Sequence, residues 1–185
     1  MHARHNSEFM HVVVPEEFKF LYVQSSERPV VKIPADILRQ KSTEIGKISK
    51  RTLMLVDDMI RIMKKANGVG LAAPQLGFSQ RLFVMSPEGM KPTALINPKI
   101  LKVEGSVVGE EGCLSIPGLY GDVIRAEYVE VEAQDRRGRE LVYEFEGMHA
   151  RVALHEIDHL DGVLFIDKVD PSTLHWMNPE TIDDM

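Results

Sequence analysis

The sequence predicts an α+β fold in which mostly antiparallel β-sheets pack around a C-terminal helix, with a second helix near the N-terminus. Two segments place apolar residues at helical spacing, and they lie far apart along the chain. Between them run segments rich in β-branched and alternating residues, which are typical of strands. The chain has 185 residues, of which 44% are hydrophobic. That size suits one globular domain with a single core.

The N-terminal part is predicted to be irregular. Residues 12–33 alternate only weakly between apolar and polar side chains, and Pro15 and Pro29 interrupt them. A proline fixes its own φ angle and removes a backbone donor, so it disfavours regular structure. We therefore expect an extended arm followed by a loop.

The first helix is predicted over residues 49–66. Val56, Ile60 and Met63 recur there at helical spacing and would face the core. Lysines in the last turn suit the negative end of the helix dipole. Gly68 follows as a stop signal.

Strands are predicted to occupy the middle of the chain, after a glycine-rich turn over residues 68–77. Their β-branched and alternating segments are residues 81–85, 94–103, 123–133 and 139–145. Residues 135–138 form a turn between the last two. The second helix is predicted over residues 147–160, and Gly162 would end it.

Residues 1–9 differ in character from the rest. They are polar, contain His2 and Arg4, and lack the apolar region of a secretory signal. The pattern favours a vector-derived leader placed before a native start at Met10, and a native polar arm is the alternative. Residues 10–185 are then predicted to form one domain.

Composition argues against several classes of protein. The net charge is −6, and we find no face of clustered Lys and Arg, so nucleic-acid binding lacks electrostatic support. Cys113 is the one cysteine of the chain, so an internal disulfide is impossible and a cytoplasmic protein is expected. No stretch approaches the ~20 apolar residues of a membrane span, so no membrane partner is expected.

The strongest chemical pattern is His155-Glu156-Ile157-Asp158-His159, in the second predicted helix. Residues four apart on a helix point the same way, so both imidazoles can bind one metal ion. Glu156 can then face a water molecule at that ion, as in HExxH zinc hydrolases. Two surface histidines among acidic residues are the alternative.

A catalytic metal site usually has three protein ligands and a water molecule. The position at which some zinc proteases have a third histidine, six residues after His159, holds Phe165. Other zinc proteases use a later glutamate, but no convincing helix precedes Glu180. Cys113 is the upstream candidate, because a thiolate binds divalent transition metals well.

Two further segments could surround these residues. Gly112 allows an unusual backbone conformation beside Cys113, which would turn the N–H of Leu114 toward the site. The glycine-rich stretch GVGLAAPQ, at residues 68–75, ends at Gln75, whose amide is an uncharged donor. Taken alone, that stretch could be a mere loop.

Together these segments resemble the peptide deformylase family over roughly residues 30–170. Members of that family carry GxGxAAxQ, EGCxS and HExDH in this order. The chain has all three without a mismatch, at residues 68–75, 111–115 and 155–159.

The resemblance implies a hydrolase that removes the formyl group from N-formylmethionine of nascent polypeptides and releases formate. It implies one divalent metal ion per chain, held by Cys113, His155 and His159. Iron(II) would be the working ion, with zinc as a weaker substitute. Glu156 would act as the general base.

The resemblance also implies how the substrate is held. The amide of Gln75 and the N–H of Leu114 would stabilise negative charge on the formyl oxygen. Val69 and Gly70 could flank the peptide as an added strand. N-formylmethionyl nascent peptides are the expected partners, and an encounter at the ribosome exit region is left open.

Two details stay open from sequence alone. Met148 lies two turns and Val152 one turn before His155, and both either line a pocket for the methionine side chain or belong to the core. Arg125 either supports Glu111 behind the cysteine or forms a surface pair with it.

The chain departs from the family near the site. Many bacterial members have an arginine five residues after the serine of the second motif, where this chain has Tyr120. Peptide contacts around residues 117–121 therefore do not carry over in detail. Two rival functions are a zinc endopeptidase and a non-catalytic module with a structural metal, which normally needs four protein ligands.

Overall fold

The computed structural model describes residues 9–178. Within them, eight strands form two sheets whose neighbouring strands pair antiparallel. The helices and strands are, in chain order, α1 (Lys50–Lys65), β1 (Gly70–Ala72), β2 (Leu82–Met85), β3 (Thr93–Glu104), β4 (Val107–Cys113), β5 (Ile116–Arg125), β6 (Tyr128–Gln134), β7 (Glu140–Glu146), α2 (Gly147–Leu160) and β8 (His175–Trp176). The predicted α+β class is confirmed.

The larger sheet, in the order β1-β2-β3-β6-β7, lies between the two helices. The side chains of strand β2 pack against both helices. Phe83 and Met85 belong to an apolar cluster that includes Ile157 of α2, whereas Val84 belongs to one that includes Met59 of α1. Because side chains alternate across a strand, one strand serves both layers, and all of β2 is buried.

Helix α1 begins at a capping box. The Ser49 side chain accepts a hydrogen bond from the Thr52 backbone N–H, and the Thr52 side chain accepts one from the Ser49 N–H. The buried face of the helix carries Met59 and Met63. The helix predicted over residues 49–66 is confirmed, with Ser49 as its cap.

The smaller sheet has the order β4-β5-β8. Ile116 and Val123 of β5 pack with Leu38 and Phe165 in a third apolar cluster. Strand β4 ends at Cys113, so this sheet carries the cysteine toward α2. Within residues 9–178, no helix is long and apolar enough to cross a membrane.

The single strand predicted over residues 123–133 is wrong. Strand β5 ends at Arg125, and β6 begins at Tyr128 in the other sheet. Between them the Glu127 N–H donates to the Glu104 carbonyl oxygen at 3.0 Å. The crossing was not predicted because no glycine or proline interrupts residues 123–133.

The glycine-rich segment 68–77 is more than a turn. It contains strand β1 and a short 3₁₀ helix, Ala73–Leu76, and Gly77 follows with a φ of +86°. The edge position of β1 in the sheet depends on pairing with β2, which no local pattern announces.

The N-terminal arm is also partly helical. A 3₁₀ helix, Glu16–Tyr22, follows Pro15, so the expectation of an extended arm over residues 12–33 is wrong there. Its Phe18 ring packs against Trp176 of β8, with ring centroids 5.1 Å apart. The arm is therefore held by a distant part of the chain.

Candidate metal centre

Cys113, His155 and His159 lie together. Their ligand atoms are all within 4.8 Å of one another. Cys113 Sγ is 3.3 Å from His159 Nε2, and the two imidazole rings are 5.0 Å apart at 69°. One thiolate and two imidazoles form a donor set that suits a divalent transition metal.

Helix α2 presents both histidines on one face, as their spacing of four predicts. Burial lowers the pKa of His159 well below its ordinary value, which keeps this imidazole in the neutral form that a metal requires. Burial acts in the same direction on His155, but hydrogen bonds with Cys113 and Glu111 outweigh it and raise the pKa of His155. A proton and a metal ion would thus compete for His155.

Strand β4 brings in the cysteine. Its pairing with β5 is irregular between Gly112 and Cys113. A Cβ at Gly112 would lie 2.6 Å from the Tyr120 ring, so only glycine fits at this close approach. The glycine predicted to give the backbone freedom here is therefore also required by packing.

Glu111 supports His155 from behind. Its Oε2 accepts a hydrogen bond from His155 Nδ1 at 2.9 Å, which leaves Nε2 of the ring for a metal. Arg125 donates to both carboxylate oxygens of Glu111, at 2.8 and 2.9 Å. The Arg125–Glu111 pair is confirmed and is buried, not on the surface.

The Glu111 carboxylate stays ionised in this setting. Burial opposes its ionisation, but hydrogen bonds from Arg125 and His155 hold the pKa of Glu111 well below its usual range. Arg125 also donates to Asp158 of α2. This arginine therefore ties the sheet that carries Cys113 to the helix that carries the histidines.

Arg151 was missed by the sequence analysis. Its guanidinium donates to Glu111 Oε1 and to the Val107 and Val123 carbonyl oxygens, each at 2.9 Å. A Cβ at Gly109 would lie 2.9 Å from the same guanidinium. Its contact with the site could have been predicted from its position four residues before His155, on the same face of the helix.

Glu156 is buried beside β1. A Cβ at Gly70 would lie 2.3 Å from Glu156 Oε1, so this glycine makes room for the carboxylate. Glu156 Oε2 is buried without a hydrogen-bond partner among the described residues. Burial raises the pKa of Glu156 to about 7, which suits proton exchange at neutral pH.

Gln75 reaches the cysteine from the glycine-rich segment. Its Nε2 donates to Ser115 Oγ at 3.1 Å and lies 3.6 Å from Cys113 Sγ. Its Oε1 accepts from the Ala72 N–H at 2.9 Å, which fixes the orientation of the amide. Leu114 lies beside Cys113 in the turn between β4 and β5.

A cleft with a volume of about 920 Å³ opens at this cluster. Nine of the ten site residues predicted from the sequence line it, and His159 is the exception. Val69 and Gly70 lie in the wall of the cleft, and Gly70 lies against Glu156 of α2. Met148 is 61% exposed, so it belongs to the cleft and not to the core. Val152 belongs to both, since it lines the cleft and packs in the cluster beneath α2.

Of the two alternative positions for a third ligand, the structure describes only the one that holds Phe165. Phe165 is buried, and its ring lies against His155 with ring centroids 6.4 Å apart. Glu180 lies outside the residues that the structure describes.

A family model for polypeptide deformylase matches residues 27–175. The chain belongs to the polypeptide deformylase family. A peptide deformylase of Symbiobacterium thermophilum is 52% identical, and the match covers 75% of this chain and 65% of that protein. Peptide deformylase 1 of Clostridium acetobutylicum is 49% identical, with 77% of this chain and 94% of that protein covered.

Solved structures of peptide deformylases agree with the fold. The enzyme from Thermotoga maritima is 41% identical with a TM-score of 0.75, covering 77% of this chain and 97% of that one. The enzyme from Synechococcus elongatus, in complex with actinonin, is 39% identical with a TM-score of 0.76, covering 80% and 84%.

Membership gives the activity expected from the three motifs. The chain is a metal-dependent hydrolase that removes the N-formyl group from N-formylmethionine of nascent polypeptides. The Cys113, His155 and His159 cluster fits the metal on which such enzymes depend.

Proposed function

We propose that Cys113, His155 and His159 hold one divalent metal ion with which this peptide deformylase cleaves the formyl amide. The observation that carries the proposal is the approach of three ligand atoms to within 4.8 Å of one another at the floor of the cleft. When bound, such an ion activates water and polarises the formyl carbonyl.

Glu156 is the proposed general base. Its buried carboxylate follows His155 directly on α2 and has one oxygen without a hydrogen-bond partner in the described structure. It would take a proton from the attacking water and return that proton to the leaving amine. A pKa near 7 allows both transfers at neutral pH.

Gln75 and Leu114 are proposed to hold the charge that develops on the formyl oxygen. The Gln75 Nε2 donates one hydrogen to Ser115 Oγ and the other to Cys113 Sγ at 3.6 Å, and this second hydrogen would turn to the formyl oxygen when the substrate binds. The backbone N–H of Leu114 would supply the other donor. The loss of one such donor typically costs about 2.7–4 kcal/mol in transition-state stability.

The peptide itself is proposed to lie along β1. Val69 is 47% exposed at the cleft, and the backbone of Val69 and Gly70 would pair with the substrate as an added strand. Met148 and Val152 would contact the methionine side chain. Backbone pairing explains how one site accepts many nascent chains.

A formate-release assay tests the function. We expect the purified metal-loaded protein to release formate from formyl-Met-Ala and to leave an internally quenched, unformylated peptide intact. The reverse result would indicate an endopeptidase, and inactivity on both with one bound metal would indicate a structural ion.

Iron(II) is the proposed working ion. One thiolate and two neutral imidazoles reduce the charge of the centre to +1, and iron(II) accepts a fifth ligand more readily than zinc. Affinity runs the other way, so zinc would be retained on isolation. Iron would also expose the Cys113 thiolate to oxidation in air.

Reconstitution of one metal-free batch tests the ion. We expect a clearly higher kcat/KM with iron(II) than with zinc under anaerobic conditions, and the loss of that gain in air. Equal, air-stable rates would show that coordination flexibility is not limiting.

The setting of the reaction is proposed as well. N-formylmethionyl nascent chains would be met in the cytoplasm, at the ribosome exit region.

Residues 1–9 are proposed as a leader outside the catalytic domain 10–185, although residues 1–8 lie outside the described structure. The Arg39 guanidinium lies over the Phe9 ring, with its carbon atom 4.2 Å from the ring centroid. Removal of residues 1–9 should leave turnover unchanged and change the free energy of unfolding by no more than the about 0.5–1 kcal/mol of this exposed contact.

A further inference from the structure

Lys32 differs from the other lysines of residues 9–178. It is half-buried, whereas all the others in this range are exposed. Its side chain lines the cleft that opens at the metal cluster. Long cationic side chains usually keep their charge in water, so a half-buried lysine in a cleft calls for an explanation.

The backbone holds Lys32 between two of the active-site segments. On one side of it, the Val31 N–H donates to the Gln75 carbonyl oxygen at 2.8 Å. On the other, the Ile33 N–H donates to the Ser115 carbonyl oxygen at 3.1 Å. The position of Lys32 is therefore fixed relative to the residues that flank Cys113.

The ammonium of Lys32 has no carboxylate partner within the described residues. It donates one hydrogen bond, to the Val30 carbonyl oxygen at 2.7 Å, which leaves two of its three hydrogens to give. Burial lowers the pKa of Lys32 to about 8; the charge of Cys113 opposes this shift, and the charge of Arg28 adds to it. The group therefore remains mostly cationic at pH 7.

A bound metal would add to this local positive charge, because the Cys113 thiolate would then be shared with the ion. An anion in the cleft would balance it. The reaction offers two carboxylates of suitable size: an acidic side chain just downstream of the formyl-methionine, and the product formate. Both present the same oxygen acceptors to an ammonium.

We propose that Lys32 is a carboxylate-binding residue of the cleft, which holds either an acidic residue of the formyl peptide or the departing formate. The inference rests on the proposed function, since it needs the peptide to occupy this cleft. Its role is in specificity or product release and not in the chemical step.

Two assays on the metal-loaded protein separate the two carboxylates. The first compares kcat/KM for amidated formyl-Met-Glu-Ser and formyl-Met-Gln-Ser. It then makes the same comparison for amidated formyl-Met-Ser-Glu and formyl-Met-Ser-Gln. The second measures inhibition by sodium formate with the Gln peptide as substrate and sodium chloride as the ionic-strength control. Each is run on the wild type, Lys32→Met, Lys32→Gln and Lys32→Arg, with exposed Lys47→Met as the matched control.

We expect the wild type either to have a higher kcat/KM for the acidic peptide or to be inhibited by formate. In Lys32→Met and Lys32→Gln, the kcat/KM preference or the affinity for formate should fall at least about fivefold. Lys32→Arg should retain most of it, and Lys47→Met all of it. Loss of the peptide preference identifies the substrate side chain as the ligand, and loss of formate inhibition identifies the product.

A wild type that shows neither acidic preference nor formate inhibition overturns the proposal without any variant, as do neutral variants that keep both properties. Turnover of the Gln peptide separates this outcome from failure of the proposed function. If the wild type releases no formate from that peptide, the proposed function fails. If it does and Lys32 makes no difference, only the present inference fails.

Discussion

The two α-helices of this enzyme treat charge in opposite ways. Helix α1 keeps its ionic groups in water: the Arg61–Asp58 pair has side chains that are 66% and 56% exposed. Helix α2 buries Arg151, Glu156 and His159. Helix α1, with exposed ionic groups, and helix α2, with buried ones, thus lie on opposite faces of the larger sheet.

The difference extends to how each helix is stabilised. Helix α1 has the Ser49–Thr52 capping box and a continuous apolar face, so its signals are local. Helix α2 has no side-chain cap, and Glu111 of β4, far away in the chain, hydrogen-bonds its Arg151 and His155. The functional helix therefore depends on tertiary partners for groups that would be costly to bury alone.

The largest expected effect comes from removing the thiolate. Cys113→Ala should lose most of its bound metal after dialysis, because two imidazoles alone form a weak site, and activity should disappear with it. Elemental analysis measures the metal per chain. One full equivalent of metal in this variant would contradict the assignment of Cys113.

Glu156→Gln should separate metal binding from catalysis on α2. The amide cannot accept a proton, so turnover should fall by at least ~10²-fold while the metal content stays unchanged. Formate release and elemental analysis on the same sample give both values. Near-normal turnover would mean that another group moves the proton.

Paired arginine substitutions compare the two helices directly. Arg151→Met leaves Glu111 with one fewer charge partner in a buried site and should destabilise the fold by about 3–5 kcal/mol. Arg61→Met on α1 breaks an exposed pair and should cost about 0–1 kcal/mol. Denaturant unfolding of the two variants measures both, and equal costs would remove the distinction between the helices.

The buried network should also give stability a pH dependence. The folded-state pKa of Glu111 is depressed, so its contribution is fully present above its ordinary pKa of about 4.5 and is lost as pH falls through the folded value. The difference in unfolding free energy between the wild type and Glu111→Gln should be largest near pH 7 and shrink below pH ~4.5. Unfolding of the chelator-treated proteins from pH 7 to pH 3 checks this, and a constant difference would argue against an ionised Glu111.

The smallest effect is expected at the cap of α1. Ser49→Ala removes one side-chain acceptor from the helix N-terminus and should cost about 0.5–2 kcal/mol. Metal content and kcat/KM should stay at their wild-type values, because Ser49 is not among the residues that line the cleft. A loss of activity larger than the loss of folded protein would show that the two helices are coupled.

Much of this molecule could be predicted because its signals are local. The spacing of His155 and His159, the bounds of α2 and the face of α1 follow from helical periodicity. The ordered motifs then identified the family and, with it, indicated Cys113 as the proposed third ligand. The crossing at Glu127 was not predicted, because no glycine or proline marks the point at which the chain leaves one sheet for the other.

The sequence by itself indicated the residues proposed to bind the metal and to move a proton. Spacing within one helix indicated His155, Glu156 and His159, and the resemblance of the ordered motifs indicated Cys113. Only the tertiary structure decided how these groups are supported. Arg151 and Arg125 converge on Glu111 because two sheets and a helix meet there, and Lys32 enters the cleft because its neighbours hydrogen-bond to Gln75 and Ser115. Contacts between segments so far apart depend on how strands pair and pack, and no local pattern encodes that choice.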